Sequence, residues 1–311
     1  MAPAKSMNRR ALLTGNGGGR IVLWTGGLPV STTNVDDNST RKRGLQAMRI
    51  AVCIKQVADT EARLRVADDG RWIDEQGLPF VINESDTYAL EEALQLAERG
   101  AGEVVVFSLG GERVREALRK ALALGAARAV HLSDPAFEGG DAAATARGLA
   151  AAIAREEFDL VLTGSQSDDV GFGSTGSMIA GHLGWPHAWL VMGLEVEEGG
   201  TSAKVTREME AGMNEIFRLR LPAVLEVQAG LNQPRYASLK GIMGAKRKPL
   251  DEVAPGDLGL EADEAGAAGS ALEVVSIFVP EGDQEAQMIE GEPAEAARVL
   301  VDKLRKEARV L

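Results

Sequence analysis

The residue types best placed to do chemistry fall in one run, Gly164-Ser165-Gln166-Ser167-Asp168-Asp169-Val170-Gly171-Phe172-Gly173-Ser174-Thr175-Gly176. A short apolar stretch precedes it and a helical pattern follows, so the run opens a helix. The main-chain N–H groups and the macrodipole at such a start favour a phosphate. Gly171, Gly173, Ser174 and Thr175 are small enough for close approach, and the hydroxyls add donors. No Lys-Ser/Thr pair follows the glycines, which excludes a P-loop. Gly171, Gly173 and Gly176 match the spacing of a dinucleotide fingerprint, but they follow the fourth predicted strand rather than the first. The same composition also suits a Gly-rich loop that holds no ligand.

Two further loops are expected on the same sheet edge. One is Phe107-Ser108-Leu109-Gly110-Gly111; the other is Val81-Ile82-Asn83-Glu84-Ser85-Asp86. Asn83 could read an adenine edge or serve as a turn or cap residue. Asp168 and Asp169 could bind a metal or a ribose, or form a solvated turn. Cys53 sits in an apolar strand and reads as a small buried filler. As the sole cysteine it excludes an internal disulfide framework and a Cys-rich metal site. His131, His182 and His187 show no ligand spacing, and no Ser-His-Asp set or acid–base pair is visible. The expectation is therefore no catalytic residue and no metal.

The elements that must position these loops alternate in type. Strands are predicted at Arg49–Gln56, Glu103–Leu109, Ala129–Ser133 and Asp159–Thr163. Helices are predicted from a Ser85 or Asp86 cap through Glu98, over Glu112–Leu124, from an Asp141 cap to about Arg155, and from a Ser174 or Thr175 cap to Gly184. A hairpin turns at Asp68-Asp69-Gly70 within Arg63–Ile73. Alternation of this kind implies an α/β fold with a mostly parallel sheet, covered on both faces. Ligands then bind beyond the carboxyl ends of the strands. After Trp189 the pattern changes. Gly193–Val205 and Glu208–Leu219 read as an antiparallel hairpin extension around Gly199-Gly200, and Ala223–Gln228 as a further strand. Gly230–Pro249 reads as irregular and 254–270 as linker-like. Val274–Val279 reads as a late strand. A final helix runs from Pro293 to about Lys306, with an apolar stripe of Ala297, Leu300, Val301 and Leu304.

The chain of 311 residues has a net charge of −12. Residues 1–47 carry seven Lys or Arg and two acids, leaving −17 on the rest. So acidic a body excludes sequence-independent nucleic-acid binding, which needs a basic footprint. No apolar window is long enough for a membrane span. Residues 1–47 read as a disordered leader or an upstream start, residues 48–253 as the nucleotide-binding domain, and 254–311 as linker and C-terminal arm. Within the domain, Arg235-Tyr236-Ala237-Ser238-Leu239-Lys240-Gly241-Ile242-Met243 precedes Lys246, Arg247 and Lys248. An apolar anchor beside a basic cluster is a docking surface for an acidic-rimmed partner, or else a surface loop with one buried Leu.

Here the sequence resembles a known family. LNQPRYASLKGIM, GSQSDDVGFGSTG, NESDTYALEEAL and MRIAVCIKQV are similar to the beta subunit of electron transfer flavoprotein, from about Met48 onward. GHLGWPHA, RYASLKGI and MIEG resemble the branch of methylotrophic bacteria that serves amine dehydrogenases.

The resemblance implies an adenine-nucleotide α-hydrolase-like fold and a heterodimer with an alpha subunit that holds most of the FAD. It also implies structural AMP and a bacterial cytoplasmic location, with the mitochondrial matrix as the alternative. AMP contacts fall on Cys53, Asn83 to Asp86, Leu109, and Gly164 to Thr175. The recognition loop falls on 227–249 with Leu239 as anchor, flanked by Arg235, Tyr236, Ile242 and Met243. Glu208 falls on an acidic position that pairs with the alpha subunit. The implied partners are a primary dehydrogenase of amine or acyl-CoA class and a quinone-linked oxidoreductase. Electron-bifurcating members carry Asp-Gly-Asp-Thr-Ala-Gln-Val-Gly in the nucleotide loop, which is absent here, so AMP is favoured over a second FAD. Two departures stand out. The acidic run and Asn-Gln pair of many AMP-type members are replaced by Asp169-Val170-Gly171 and Gly173-Ser174. Aromatic flavin contacts of some members fall on Thr60 and Ser85. The alternatives are a bifurcating subunit and a stand-alone universal-stress-type nucleotide-binding protein.

Overall fold

The computed structural model describes residues 47–100, 102–280 and 287–311. The leader expected over 1–47 lies, apart from Ala47, outside the described residues. Two units are present: one runs to Arg63 and from Gly77 to Glu273, the other joins Leu64–Gln76 to Val274–Leu311.

The larger unit is built on β1 (Arg49–Cys53), whose RIAVC sequence is short, apolar and β-branched, as a strand buried on both faces must be. Ile50 and Val52 face one apolar layer and Ala51 and Cys53 the other. After β2 (Gln56–Ala58) and β3 (Phe80–Ile82), a separate antiparallel pair, come α1 (Glu84–Gly100), β4 (Glu103–Leu109), α2 (Val114–Leu124) and β5 (Arg128–Leu132). Then follow α3 (Ala142–Ile153), β6 (Leu160–Gly164) and α4 (Thr175–Leu183). Leu90 and Leu94 of α1 and Leu118 and Leu122 of α2 cover one face of the sheet; Leu149 and Ile153 of α3 and Ile179 of α4 cover the other. Burial of each such side chain contributes roughly 1.5–3 kcal/mol. Asp141 caps α3 by accepting from the Ala144 amide, as its position predicts.

The remaining strands are β7 (His187–Val196), β8 (Ser202–Glu208), β9 (Asn214–Arg220), β10 (Ala223–Val227) and β11 (Leu250–Val253). The sheet order is β11-β5-β4-β1-β6-β10-β7-β8-β9, parallel from β11 to β7 and antiparallel from β7 to β9. The mostly parallel α/β architecture agrees with the alternation in the sequence.

Several elements differ from the sequence reading. The hairpin extension has three strands, not two, because a second turn forms at Glu210–Gly212 with Ala211 at φ 60°. Ala-Gly carries no Asn-Gly or Asp-Gly signature, so the turn was hidden. The irregular stretch 230–249 contains α5 (Leu239–Ala245), capped by the Ser238 hydroxyl, which accepts from the Gly241 amide. β11 was missed because Leu-Asp-Glu-Val has only two apolar residues; it occupies the edge, where one buried face suffices. Residues 254–270 pack rather than dangle: Pro255 and Ala265 are buried, and Arg147 of α3 donates to the Glu264 carbonyl.

In the smaller unit the turn at Asp68-Asp69-Gly70 forms, with a Val66–Ile73 antiparallel bridge. Val274–Val279 is not a strand. No ladder pairs it among the described residues, and Val275, Phe278 and Val279 are exposed. The final helix is α6 (Pro293–Lys306), as predicted, with Leu300 and Val301 exposed.

Candidate functional site

The chain leaves β1 toward β4 and β5, then returns to β6 on the other side of β1. The strand order reverses there, and the carboxyl ends of β4, β1 and β6 frame the crevice in which α/β sheets bind ligands. Three loops far apart in sequence meet at this crevice. Cys53 ends β1, Leu109 ends β4 and Gly164 ends β6.

Asn83 to Asp86 close the crevice from the start of α1. Ser85 and Asp86 do not cap that helix, contrary to the sequence reading; they lie inside its first turn and are buried against β6. Asp86 accepts from the Lys55 amide (2.7 Å) and from the Gly164 amide (2.8 Å), tying β1 to β6 through one carboxylate. Asn83 is 1% exposed. It donates to the Gln166 carbonyl (2.9 Å) and Ser85 Oγ (3.0 Å) and accepts from the Asp168 amide (2.8 Å). Ser85 also donates to the Gln166 carbonyl, and the Glu84 amide donates to Asp168. Asn83 therefore fastens the run that follows β6 to the start of α1.

Burial pushes the Asp86 carboxyl up to about 7, against the Lys55 and Gly164 amides that pull it down. Burial, and then the nearby Asp86 charge, raises the Cys53 thiol far above the usual thiol range, so it stays protonated and unreactive. Burial also opposes the Asp169 charge. The hydrogen bonds from Lys55 and Ser167 outweigh it and hold Asp169 below the usual carboxylate range.

The loop is exposed from Asp168 through Phe172. Gly171 (φ 61°) and Gly173 (φ 57°) adopt the left-handed conformation that disfavours side chains. Ser174 occupies the cap position of α4 but makes no side-chain cap hydrogen bond, and Thr175 opens the helix. The predicted phosphate-type run is thus placed at a helix start facing the crevice.

Two residues of this region were not singled out in the sequence. Lys55 pairs with Asp169 at 2.6 Å and reaches Ser167 Oγ at 3.4 Å. Its position two residues past Cys53, at the mouth of the first strand, was the available signal. Glu226, 1% exposed, interrupts the apolar strand Ala223–Val227 and meets His187 Nε2 at 3.0 Å. A charge inside an apolar strand was the signal there. Among the described residues no cluster of three or more His, Cys, Asp or Glu could hold a metal.

The predicted docking residues divide into two kinds. Tyr236 (97% exposed), Leu239 (76%), Ile242 and Met243 stand out from α5 and its approach. Arg235 instead faces inward, gripping Glu91 and Glu98 of α1. Lys248 also turns inward, donating to the Leu122 and Ala126 carbonyls, while Lys246 and Arg247 are exposed. Glu208 is exposed at the end of β8, remote in sequence from both regions and paired in register with Asn214. No helix among the described residues is long and apolar enough to cross a membrane.

A family profile described as "Electron transfer flavoprotein domain" matches residues 71–258. The chain is 43% identical over 256 residues to electron transfer flavoprotein subunit beta of Methylophilus methylotrophus, covering 82% of this chain and 97% of that one. It is 36% identical over 265 residues to the subunit of the same name from Bacillus subtilis, covering 85% and 100%. The Homo sapiens subunit beta is also 36% identical, over 266 residues, covering 85% and 99%.

Proposed function

The chain belongs to the electron transfer flavoprotein family as a beta-type subunit, and from that premise we propose that it pairs with an alpha subunit in a heterodimeric electron carrier of the bacterial cytoplasm. It holds AMP in the crevice between β4, β1 and β6 as a structural ligand. The observation that supports this most is the α4 start: no side chain caps it, and two left-handed glycines precede it at the strand-order reversal. The amides and hydroxyls of Gly173, Ser174 and Thr175 suit a phosphate. Cys53, Leu109 and Gly164 are small or apolar groups at the crevice floor, suited to a nucleoside.

FAD, held mainly by the alpha subunit, supplies the redox chemistry when bound. This chain's residues position partners rather than move protons, in keeping with the inert Cys53 thiol. Leu239, with Tyr236, Ile242 and Met243, docks a primary dehydrogenase of amine or acyl-CoA class, and Glu208 faces the alpha subunit. The electrons pass on to a quinone-linked oxidoreductase. The test is co-expression with the alpha subunit, followed by extraction of the small molecules. One FAD and one AMP per heterodimer are expected. Two FAD without AMP would refute the AMP assignment, and a flavin-bearing lone polypeptide would refute the whole reading.

A further inference from the structure

The segment that leads to α5 hangs from the same two elements that frame the nucleotide cleft. At its start the Ser165 amide donates to the Val227 carbonyl (2.9 Å) and Ser165 Oγ donates to Gln228 Oε1 (2.9 Å), so the end of β6 holds the end of β10. Further on, Leu231 packs against the same apolar layer as Tyr88 of α1. Asn232 Nδ2 donates to the Tyr88 carbonyl (3.0 Å) and to Glu92 (3.2 Å), and Arg235 grips Glu91 and Glu98. Residues 228–238 contain no helix or strand, so these ties give the segment its place. The helix α5 itself is held elsewhere. Arg119 of α2 donates to the Ala245 and Lys248 carbonyls, Lys248 donates to the Leu122 and Ala126 carbonyls, and a Cβ on Gly241 would strike the Ala123 carbonyl. Exposed Tyr236 and Leu239 thus sit where a limb fixed by α1 and β6 meets a helix fixed by α2.

The cleft and the limb share one joint. The first turn of α1 meets the end of β6 through Asp86 and the Gly164 amide, and Asn83 and Ser85 bond the Gln166 carbonyl just beyond. A nucleotide held between Asn83–Asp86 and Gly164–Thr175 spans that joint. Any local opening that parts α1 from β6 must release it, and a ligand suppresses such openings by mass action.

We infer that nucleotide occupancy locks the approach to the docking helix: with AMP in the cleft, residues 228–236 are held in place on α1, and without it they open with the α1–β6 joint. This rests on the nucleotide and docking readings above and gives the bound AMP a consequence at a second surface.

The test is hydrogen exchange of the nucleotide-free heterodimer with and without AMP. It is read at the amides of Gln228 and Arg235, which donate to the Val191 carbonyl and to Glu91. AMP at about a hundred times its dissociation constant should slow both by about tenfold or more. The Ile242 and Arg247 amides, which donate to the Ser238 and Gly244 carbonyls, report the part held by α2 and should change less than about twofold. Glu91→Gln loosens the limb outside the cleft. It should keep AMP affinity within about twofold and cut the slowing at residue 235 to less than about threefold. Asn232→Ala, which cuts the neighbouring tie, should act in the same direction and serves if the Gln variant does not fold. Unchanged exchange at Gln228 and Arg235 in a heterodimer that binds AMP by calorimetry overturns the linkage and leaves the nucleotide site standing. Equal slowing at Ile242 and Arg247 also overturns it, because AMP would then stabilise the whole subunit rather than this limb. Full slowing kept by a variant that binds AMP overturns the role of α1. A heterodimer that binds no AMP overturns the linkage and the nucleotide reading together.

Discussion

Arg235 and Glu91 form a two-pronged ion pair that fastens the segment before α5 to α1. Arg235 Nε lies 2.8 Å from Glu91 Oε2 and Nη2 lies 3.1 Å from Oε1, and the Arg235 amide donates to the same carboxylate. Burial opposes the Glu91 charge, but hydrogen bonds from Arg235 and Gln95 prevail and hold it below the usual carboxylate range. A carboxylate depressed in the folded state stabilises above its unfolded value, and that stability is lost as pH falls through the folded value. Glu91→Gln should therefore cost on the order of 2–4 kcal/mol at pH 7, by leaving Arg235 half-paired. It should also blunt the loss of stability below about pH 4.5. Urea unfolding at pH 7 and pH 4 checks both. Equal stability of variant and parent at pH 7 would refute the clamp.

Leu239 makes the opposite prediction, because its side chain is 76% exposed. Leu239→Ala should leave thermal unfolding unchanged within about 0.5 kcal/mol. As a docking anchor it should still slow electron delivery from the dehydrogenase by roughly tenfold or more, read by stopped-flow reduction of the flavin. A large fall in melting temperature with normal delivery would mean that Leu239 is a packing residue instead.

What the sequence shows of this site follows from how local each signal is. β4 and α6 match their predicted limits, because apolar period and flanking residues lie within the segment itself. The place of the Gly164–Gly176 run at a helix start was legible because its glycines and its cap residue lie next to one another in the sequence. The ion pairs of Arg235 were not legible because its charge is satisfied 137 to 144 residues away, and nothing nearby announces Glu91 or Glu98. The pairing of Glu226 with His187 was hidden for the same reason, their contact spanning 39 residues. Ser85 and Asp86 look like caps by type, yet tertiary contacts to Gln166 and to Gly164 at the end of β6 outcompete the local ones.

Asp86 gives a pH dependence of unusual sign. Burial raises its carboxyl from the ordinary 3.8 to about 7. A folded value above the unfolded one means that the native state keeps a proton the unfolded chain has lost. Stability should then fall as pH rises from about 4 to about 7, and this contribution should level off above. Asp86→Asn should flatten that slope. At pH 8 it should also cost about 1–3 kcal/mol, since the amide group can accept from only one of the Lys55 and Gly164 amides. Chemical denaturation at half-unit pH steps checks this, and a slope retained in the Asn variant would assign it to another group.

Two glycines, one at the end of β6 and one in α4, separate steric need from mere composition. A Cβ on Gly164 would strike Ser85 Oγ and Asp86 Oδ1 and come within 2.8 Å of the Asp86 nitrogen, which is backbone and cannot swing aside. Gly164→Ala must therefore push the start of α1 away from β6, breaking the Asp86 bridge and opening the nucleotide cleft. The expected cost is about 1–3 kcal/mol of stability, with loss of AMP from the purified heterodimer. Gly181, in the interior of α4, has nothing within 4 Å of its built Cβ and no left-handed φ. Gly181→Ala should therefore stabilise the protein by roughly 0.5–1 kcal/mol and retain AMP. Thermal unfolding and nucleotide content of the two variants, prepared side by side, provide the comparison. AMP retained in full by Gly164→Ala would show that the α1–β6 contact does not shape the cleft.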